Sequence, residues 1–391
     1  MKHIEDLEVT NKRVLMRVDF NVPLDASGTI TDDTRIRGVL PTIKSLIARG
    51  ARIVLCSHCG RPKGQRLEKF SLAPAAKRLG ELLGQPVVMA PDCIGAESMA
   101  LAAGLKAGEV MLLENLRFHP EEQKNDPAFA KALAAFGDCY VNDAFAVSHR
   151  ADASVEGVTH YFTDKAAGLL LFKEIDFFNR AVTDPARPLI AILGGAKVSS
   201  KLSAIHNLLD RVDSMIIGGA MANTFLKAQG HEIGKSLVED DLLATAKELL
   251  TLARQKGIAM LLPVDFVVAD SFAAEAKTRT VILGEVPAEW MILDIGPDTI
   301  AAFGKALANA KTIVWNGPMG AFEMAPFAQG SMAMVQAVIE SQALSIVGGG
   351  DTNVVINQAK AGDKVSYMST GGGAFLELME GKQLPGVTAL D

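Results

Sequence analysis

The sequence predicts an α/β protein built as two doubly wound, Rossmann-like parallel sheets joined by a connecting helix. Short β-branched runs alternate with longer helical patterns along the whole chain, as crossover helices winding a parallel sheet require. At 391 residues the chain exceeds what one core comfortably fills, and a prior of roughly 100–200 residues per domain gives two lobes. Residue usage divides it as well: twelve of the sixteen arginines precede Asp184-Pro185, and twenty-two of the thirty-five glycines follow it.

In the front half, strands are expected at Val14–Val18, Arg52–Ser57, Val87–Ala90, Val110–Glu114 and Cys139–Asn142, with helices such as Arg35–Arg49 and Leu72–Leu83 between them. These form a lobe over 1–164. Lys165–Val182 is amphipathic and leads to Asp184-Pro185-Ala186-Arg187-Pro188, whose prolines end a helix and start extended backbone. Residues 165–187 therefore read as a connecting helix and hinge, an ordinary crossover helix being the alternative. Strands follow at Leu189–Leu193, Met215–Ile217, Met260–Pro263, Thr312–Trp315, Ser345–Val347 and Val365–Met368. Helices such as Asp240–Lys256 and Phe327–Glu340 separate them, completing a second lobe over 188–375.

Composition narrows the function. A formal charge of -6 and a pI near 5.7 argue against nucleic acid, whose binding needs a net basic face. No apolar run approaches the roughly 20 residues that span a bilayer, and the first residues lack the order of a signal peptide, so the cytoplasm is expected. No coiled-coil seam is evident, which makes a monomer the expectation. Among four cysteines, Cys93 and Cys139 stand alone, and Cys56-Ser57-His58-Cys59 lacks the second pair that would complete a tetrahedral metal site.

The chemistry concentrates just past strand ends, where open α/β sheets bind ligands. Arg17-Val18-Asp19-Phe20-Asn21-Val22-Pro23 puts Asp19 and Asn21 on one side of a strand tip, and Arg35 opens the next helix. Ser57-His58-Cys59-Gly60-Arg61-Pro62 follows the second strand, Arg117 the fourth and Arg150 the fifth. Arginine forks bind phosphate and carboxylate through paired hydrogen bonds, so His58, Cys59, Gly60, Arg61, Arg117 and Arg150 read with Arg35 as a cradle for a small polyanion.

The back half offers glycine turns instead. Leu193-Gly194-Gly195-Ala196-Lys197-Val198-Ser199-Ser200-Lys201 leaves a buried strand with two lysines four apart, expected on one helical face. Further turns lie at Gly218-Gly219, Asn316-Gly317-Pro318-Met319-Gly320, Gly348-Gly349-Gly350-Asp351-Thr352 and Thr370-Gly371-Gly372-Gly373. Backbone N–H groups at helix starts bind phosphate, and Asp351 supplies a hard oxygen for magnesium. Gly230–Ser236 imitates a Walker A loop, but three residues separate its glycines where four are needed. No G-x-G-x-x-G opens a first βαβ unit.

Taken in order, the Arg17–Pro23, Ser57–Pro62, Gly194–Val198, Trp315–Glu323, Gly348–Thr352 and Ser369–Ala374 stretches resemble the phosphoglycerate kinase family over essentially the whole chain. The resemblance implies that Asp19, Asn21, Arg35, His58, Arg61, Arg117 and Arg150 hold 3-phosphoglycerate or 1,3-bisphosphoglycerate. It implies that Lys197, Lys201, Asn316, Glu323, Gly349, Gly350, Asp351 and Thr352 serve MgADP or MgATP, with Glu323 on the ribose and Asp351 on magnesium. Gly371 and Gly372 would offer amides to the phosphoryl in transit, and the tail 376–391 would pack on the first lobe. Four positions depart from the family pattern: Cys59 stands for a leucine, Asp152 for a histidine, and Ala220 and Ile292 for glycines.

The implied reaction needs no general base, because a carboxylate and a nucleotide phosphate are already deprotonated nucleophiles. Catalysis by Arg35, Lys197, Lys201, the Gly371 and Gly372 amides and the metal would be positioning and charge neutralisation, with the lobes closing to exclude water. Another carboxylate kinase and an inactive binding protein remain as alternatives.

Overall fold

In the computed structural model, which describes residues 1–391, the apolar runs of the front half become β1 (Arg13–Arg17), β2 (Arg52–Cys56), β3 (Val87–Met89), β4 (Val110–Leu112), β5 (Cys139–Asn142) and β6 (Lys165–Ala167). Their interiors are apolar on both faces, as helix-covered parallel strands require, with Val14, Leu15, Met16, Ile53, Val54 and Leu55 all buried. The strand order is β3-β4-β2-β1-β5-β6, all parallel. The order reverses between β1 and β5, so their carboxyl ends frame a crevice.

The back half forms β7 (Leu189–Leu193), β8 (Ser214–Ile217), β9 (Ala259–Leu261), β10 (Asp265–Ala269), β11 (Thr278–Ile282), β12 (Met291–Ile295), β13 (Thr312–Asn316), β14 (Leu344–Gly348) and β15 (Tyr367–Met368). Six make a parallel sheet of order β15-β14-β13-β7-β8-β9, which is the Rossmann order with its switch point between β7 and β13. The remaining three pair antiparallel as β11-β10-β12, a small sheet absent from the sequence reading. Phe266 and Val268 of β10 and Ile292 of β12 pack with Leu226 and Ile233 in a core of their own. Asp265 then starts the helix Pro297–Leu307, its carboxylate accepting from the backbone N–H of Asp298 at 2.9 Å and of Thr299 at 2.7 Å.

Contacts divide the chain into two compact units, Met1–Ile175 with Gln383–Asp391, and Asp176–Lys382. The segment 165–187 is not one helix. Lys165–Ala167 is edge strand β6, the helix occupies Leu169–Phe178, and a π-type turn follows over Asn179–Thr183. The reason lies at Gly168, where an added Cβ would run into the Asp143 side chain. That carboxylate accepts from Leu171 N–H at 3.0 Å and so caps the helix at its first turn. Burial raises the Asp143 pKa to about 7.

The tail also differs from expectation. Helix Gly372–Met379 stays with the second unit, where Asn207 Nδ2 donates to Met379 O at 2.7 Å and Phe375 meets Phe178 edge-on. Only from Gln383 does the chain join the first unit. There Gly386 N donates to Ser148 O at 2.8 Å, Asn142 Nδ2 to Gly386 O at 2.9 Å, and Lys165 Nζ to Ala389 O at 2.6 Å.

Candidate active site

The first unit assembles its cradle at the switch point from the end of β1 outward. Arg17 is fully buried and spends its guanidinium internally: Nε donates to Ser154 Oγ at 2.8 Å, Nη1 to Val18 O, and Nη2 to His58 Nδ1 at 3.3 Å. Since arginine only donates, Nδ1 of His58 must be the bare nitrogen and Nε2 carries the ring proton. Burial, then Arg17, Arg117, Arg35 and Arg150, push the His58 pKa well below the usual range, so the ring is a neutral N–H donor at physiological pH. Asp19 accepts from Arg35 Nη1 and, at 3.1 Å, from Asn21 N–H. Asn21 Oδ1 in turn holds Gly60 N–H at 2.8 Å.

Asn115, fully buried, locks the next turn. Its Oδ1 accepts from Cys59 N–H at 3.2 Å and Arg117 N–H at 3.0 Å, while Nδ2 donates to Cys59 O at 2.7 Å. Arg117 is almost entirely buried, with Nη1 on Gly60 O at 2.9 Å and Nε without a protein partner. Burial comes first, then the charge of Arg150, in lowering its pKa. A buried guanidinium with an open donor beside other cations is costly unless an anion completes it. Arg150 gives Nε to the buried Asp152 at 3.0 Å. The carboxylate at the departure from the family pattern is thus a counter-ion for one fork of the cradle.

Contacts therefore bring together Asp19, Asn21, Arg35, His58, Cys59, Gly60 and Arg117, with Arg150 acting on His58 and Arg117 through its charge. Arg61 lies exposed on the same turn. The Cys59 side chain packs in the core, as a substitute for an aliphatic residue should, and only its backbone serves the turn. Burial drives the Cys56 thiol up to about 12 and raises that of Cys59, so neither is a ready thiolate.

Sequence reasoning missed the support beneath. Ser154 Oγ and N–H both bond the buried Glu122 carboxylate, at 2.5 and 2.9 Å, so Arg17 rests on a Ser154–Glu122 relay. Arg17 within a buried strand was the available signal. Glu122 and Ser154 carry none, because only the fold brings them under β1.

In the second unit, three turns at the β7/β13 switch point bond to one another: Gly195 N to Pro318 O at 2.9 Å, Gly219 N to Met319 O at 3.0 Å, and Met221 N to Gly195 O at 3.0 Å. Gly219 has φ 66°, and a Cβ there would press into the Gly195 backbone. Gly219→Ala should therefore lower stability by at least about 1–2 kcal/mol from the left-handed backbone alone, and it should displace Gly195, weakening nucleotide binding. Thermal unfolding and nucleotide titration check both, and an unchanged Tm counts against it.

These turns floor a cavity of about 440 Å³. One wall is apolar, from Leu237, Phe266, Phe272, Met291, Leu293 and Phe322; Glu323 and Asp351 are exposed at its polar side. Most of the apolar wall was missed, because it is built on or beside the overlooked three-stranded sheet. Its available signal was the strand-favouring run Phe266-Val267-Val268 and the Thr-, Val- and Ile-rich stretch Thr278–Ile282. Asn316 and Thr352 each make an internal tie: Asn316 Nδ2 donates to Gly348 O at 2.9 Å, and Thr352 Oγ1 accepts from Gly317 N–H at 2.7 Å.

Gly349 precedes helix Gly350–Gln358, and Gly371 precedes helix Gly372–Met379. A Cβ on Gly372 would sit 3.6 Å from Gly350 N, so two helix N-termini converge and their free amides make a ready anion site. Lys197 and Lys201 do not share a helical face, since the chain turns over Val198–Lys201 and the helix begins at Leu202. Buried Val198 anchors that turn, and Lys197 is exposed. Burial lowers the Lys201 pKa to about 8, against the pull of Asp351 and Glu380.

With both sites described, their relatives can be placed. The family model for phosphoglycerate kinase matches residues 4–382. The phosphoglycerate kinase of Desulfotalea psychrophila is 59% identical over 391 residues, covering 100% of both chains. That of Geobacter metallireducens is 56% identical over 392, covering 100% of this chain and 98% of its own. Among solved structures, phosphoglycerate kinase from Coxiella burnetii superposes with a TM-score of 0.92 at 44% identity, and that from Pyrococcus horikoshii OT3 with 0.81 at 35%, each covering 100% of this chain and 98% of the other. The family-model match, two Rossmann-type sheets and full-length similarity agree, and the chain belongs to the phosphoglycerate kinase family.

Proposed function

We propose that the chain carries out its family's glycolytic reaction, reversible phosphoryl transfer from 1,3-bisphosphoglycerate to ADP giving 3-phosphoglycerate and ATP, by positioning and charge neutralisation. The observation that carries this reading is a cradle of cations and N–H donors that includes buried Arg117 with an open Nε. Such a set recognises a phosphorylated carboxylic acid and does not abstract protons. Asp19 and Asn21 hold Arg35 and Gly60 in place, and His58 offers a neutral N–H. In the second unit the apolar wall suits a base, Glu323 the ribose hydroxyls, and the converging helix starts with Lys197 and Lys201 the phosphates. Exposed Asp351, in the first turn of its helix, fits magnesium as a hard oxygen ligand beside phosphate oxygens; bound there the ion would neutralise phosphate charge.

A coupled assay tests the reading. ATP with 3-phosphoglycerate should yield ADP at a rate that other small carboxylates do not support, and equal turnover with another acid would favour a different carboxylate kinase. His58→Gln keeps an N–H donor and should raise KM for the acid less than His58→Ala does. The two kcat values should stay within about tenfold of wild type, as expected when binding, not proton transfer, is lost.

The acid and nucleotide groups lie on different units, so transfer requires the bound ligands to meet. We expect domain closure on ternary binding, with residues near Asp184–Pro188 as the hinge. Small-angle scattering should show a smaller radius of gyration with both ligands than with either alone; no change would oppose closure. No helix is long and apolar enough to cross a membrane. A cytoplasmic monomer is the state we propose, supported by the acidic composition and the absence of a coiled-coil pattern.

A further inference from the structure

Three donor side chains of the first unit take no part in the anion cradle. Asp92 and Cys93 follow β3, and His119 follows the turn beyond β4. These strands pair from Val87↔Val110 to Met89↔Leu112, so sheet register sets the two segments side by side. A carboxylate oxygen of Asp92, Sγ of Cys93 and a ring nitrogen of His119 all lie within 4.8 Å of one another. Their backbones are fixed: Ser98 Oγ donates to Asp92 O at 2.8 Å, and His119 N donates to Leu116 O at 3.1 Å. Cys93 is fully buried and forms the floor, while the Asp92 and His119 side chains are 33% and 25% exposed, leaving a route from solvent.

We propose that Asp92, Cys93 and His119 form a three-ligand site for a zinc-class divalent cation. Thiolate, imidazole and carboxylate together suit zinc, whereas magnesium and calcium take oxygen alone. Zinc bond lengths place tetrahedral ligand atoms roughly 3.3–3.8 Å apart. The 2.8 Å contact of His119 Nε2 with Asp92 Oδ1 must then open by about half an ångström, and the widest separation must close by about one. Outer support is present. Cys93 N–H donates to Asp92 Oδ1 at 2.7 Å, and the Arg66 guanidinium lies 3.2 Å from Oδ2, so the carboxylate is oriented before any ion arrives.

Binding forms an Sγ–metal bond and breaks the Cys93 S–H bond, whose proton leaves to solvent. His119 Nε2 gives up the N–H that it donates to Asp92, the neutral ring keeping one proton on Nδ1 by exchange with solvent, and the lone pair so freed binds the metal. Burial, and then the charges of Asp92 and Glu122, hold the free thiol protonated. The ion supplies what that pocket lacks. His119 ends the turn Leu116–Phe118 that carries Arg117, so occupancy would brace one wall of the cradle.

The test is cobalt(II) titration of the full-length protein without nucleotide at pH 8. One equivalent should bind with the strong visible bands of tetrahedral cobalt and a near-ultraviolet sulfur-to-cobalt transition, both displaced by zinc. Cobalt held at Asp351 through oxygens would lack the sulfur band. Cys93→Ser should abolish that band. Should that variant misfold, His119→Gln, altered at a partly exposed side chain, should weaken binding by at least about tenfold. Absence of cobalt uptake, an octahedral spectrum without the sulfur band, or a sulfur band that survives His119→Gln unweakened would each overturn the site.

Discussion

Arg35→Ala is expected to cut kcat by roughly 10³-fold, the low end for an arginine that stabilises phosphoryl charge in flight, while either KM changes by less than about tenfold. The structure supplies the reason for the asymmetry. Arg35 Nη1 rests on Asp19, and its side chain is 39% exposed, so the guanidinium is oriented but its other donors stay open. On the proposed reading, the deeply buried Arg117 and the His58 N–H would provide ground-state affinity without it. Arg35→Lys should rescue little, because an ammonium keeps the charge and loses the planar fork. Steady-state kinetics in both substrates decide the matter. A raised KM for the acid with kcat intact would move Arg35 from the transition state to ordinary binding.

Lys201 should give the second large effect, and its sign can be worked out. Burial lowers its pKa to about 8, so the free protein carries the ammonium below that pH and loses it above. If that charge offsets the phosphoryl oxygens, kcat/KM for nucleotide should fall about tenfold per pH unit beyond pH ~8, as for one essential proton. The corresponding limb in kcat should lie at higher pH, because bound phosphates favour the charged lysine. Lys201→Arg should shift the alkaline limb upward, and Lys201→Met should cost roughly 10²–10³ in kcat, the usual loss of one preorganised donor. A flat wild-type profile to pH 10 would show that the charge is not required.

How far the sequence could be read is clearest at the strand ends. Asp19, Asn21, Arg35, His58 and Arg117 could be grouped because parallel strands deliver their carboxyl ends to one edge, and that rule depends only on pattern. Turns at Gly194–Gly195, Gly218–Gly219 and Gly317 were legible for the same reason. Harder were elements whose signal is not periodic. β6 was absorbed into the helix after it, because Lys165-Ala166-Ala167 has no β-branched residue and the join is marked only by Gly168, where the Asp143 side chain leaves no room for a Cβ. β10, β11 and β12 were passed over as connections, although β10 and β12 line the apolar side of the second unit's cavity.

Sequence alone determined the α/β class, the presence of two Rossmann-type sheets and the gathering of arginines and glycine turns at strand ends, because period and turn chemistry are local properties of the chain. Only the tertiary structure decided what each polar group does. It placed Glu122 and Ser154 under Arg17 and fixed the tautomer of His58. It tied Asn316 to Gly348 and Thr352 to Gly317, gave Asp152 to Arg150, and drew Asp92, Cys93 and His119 into one cluster. Those roles rest on hydrogen-bond partners and burial, which join residues distant in the chain, and no local pattern encodes them.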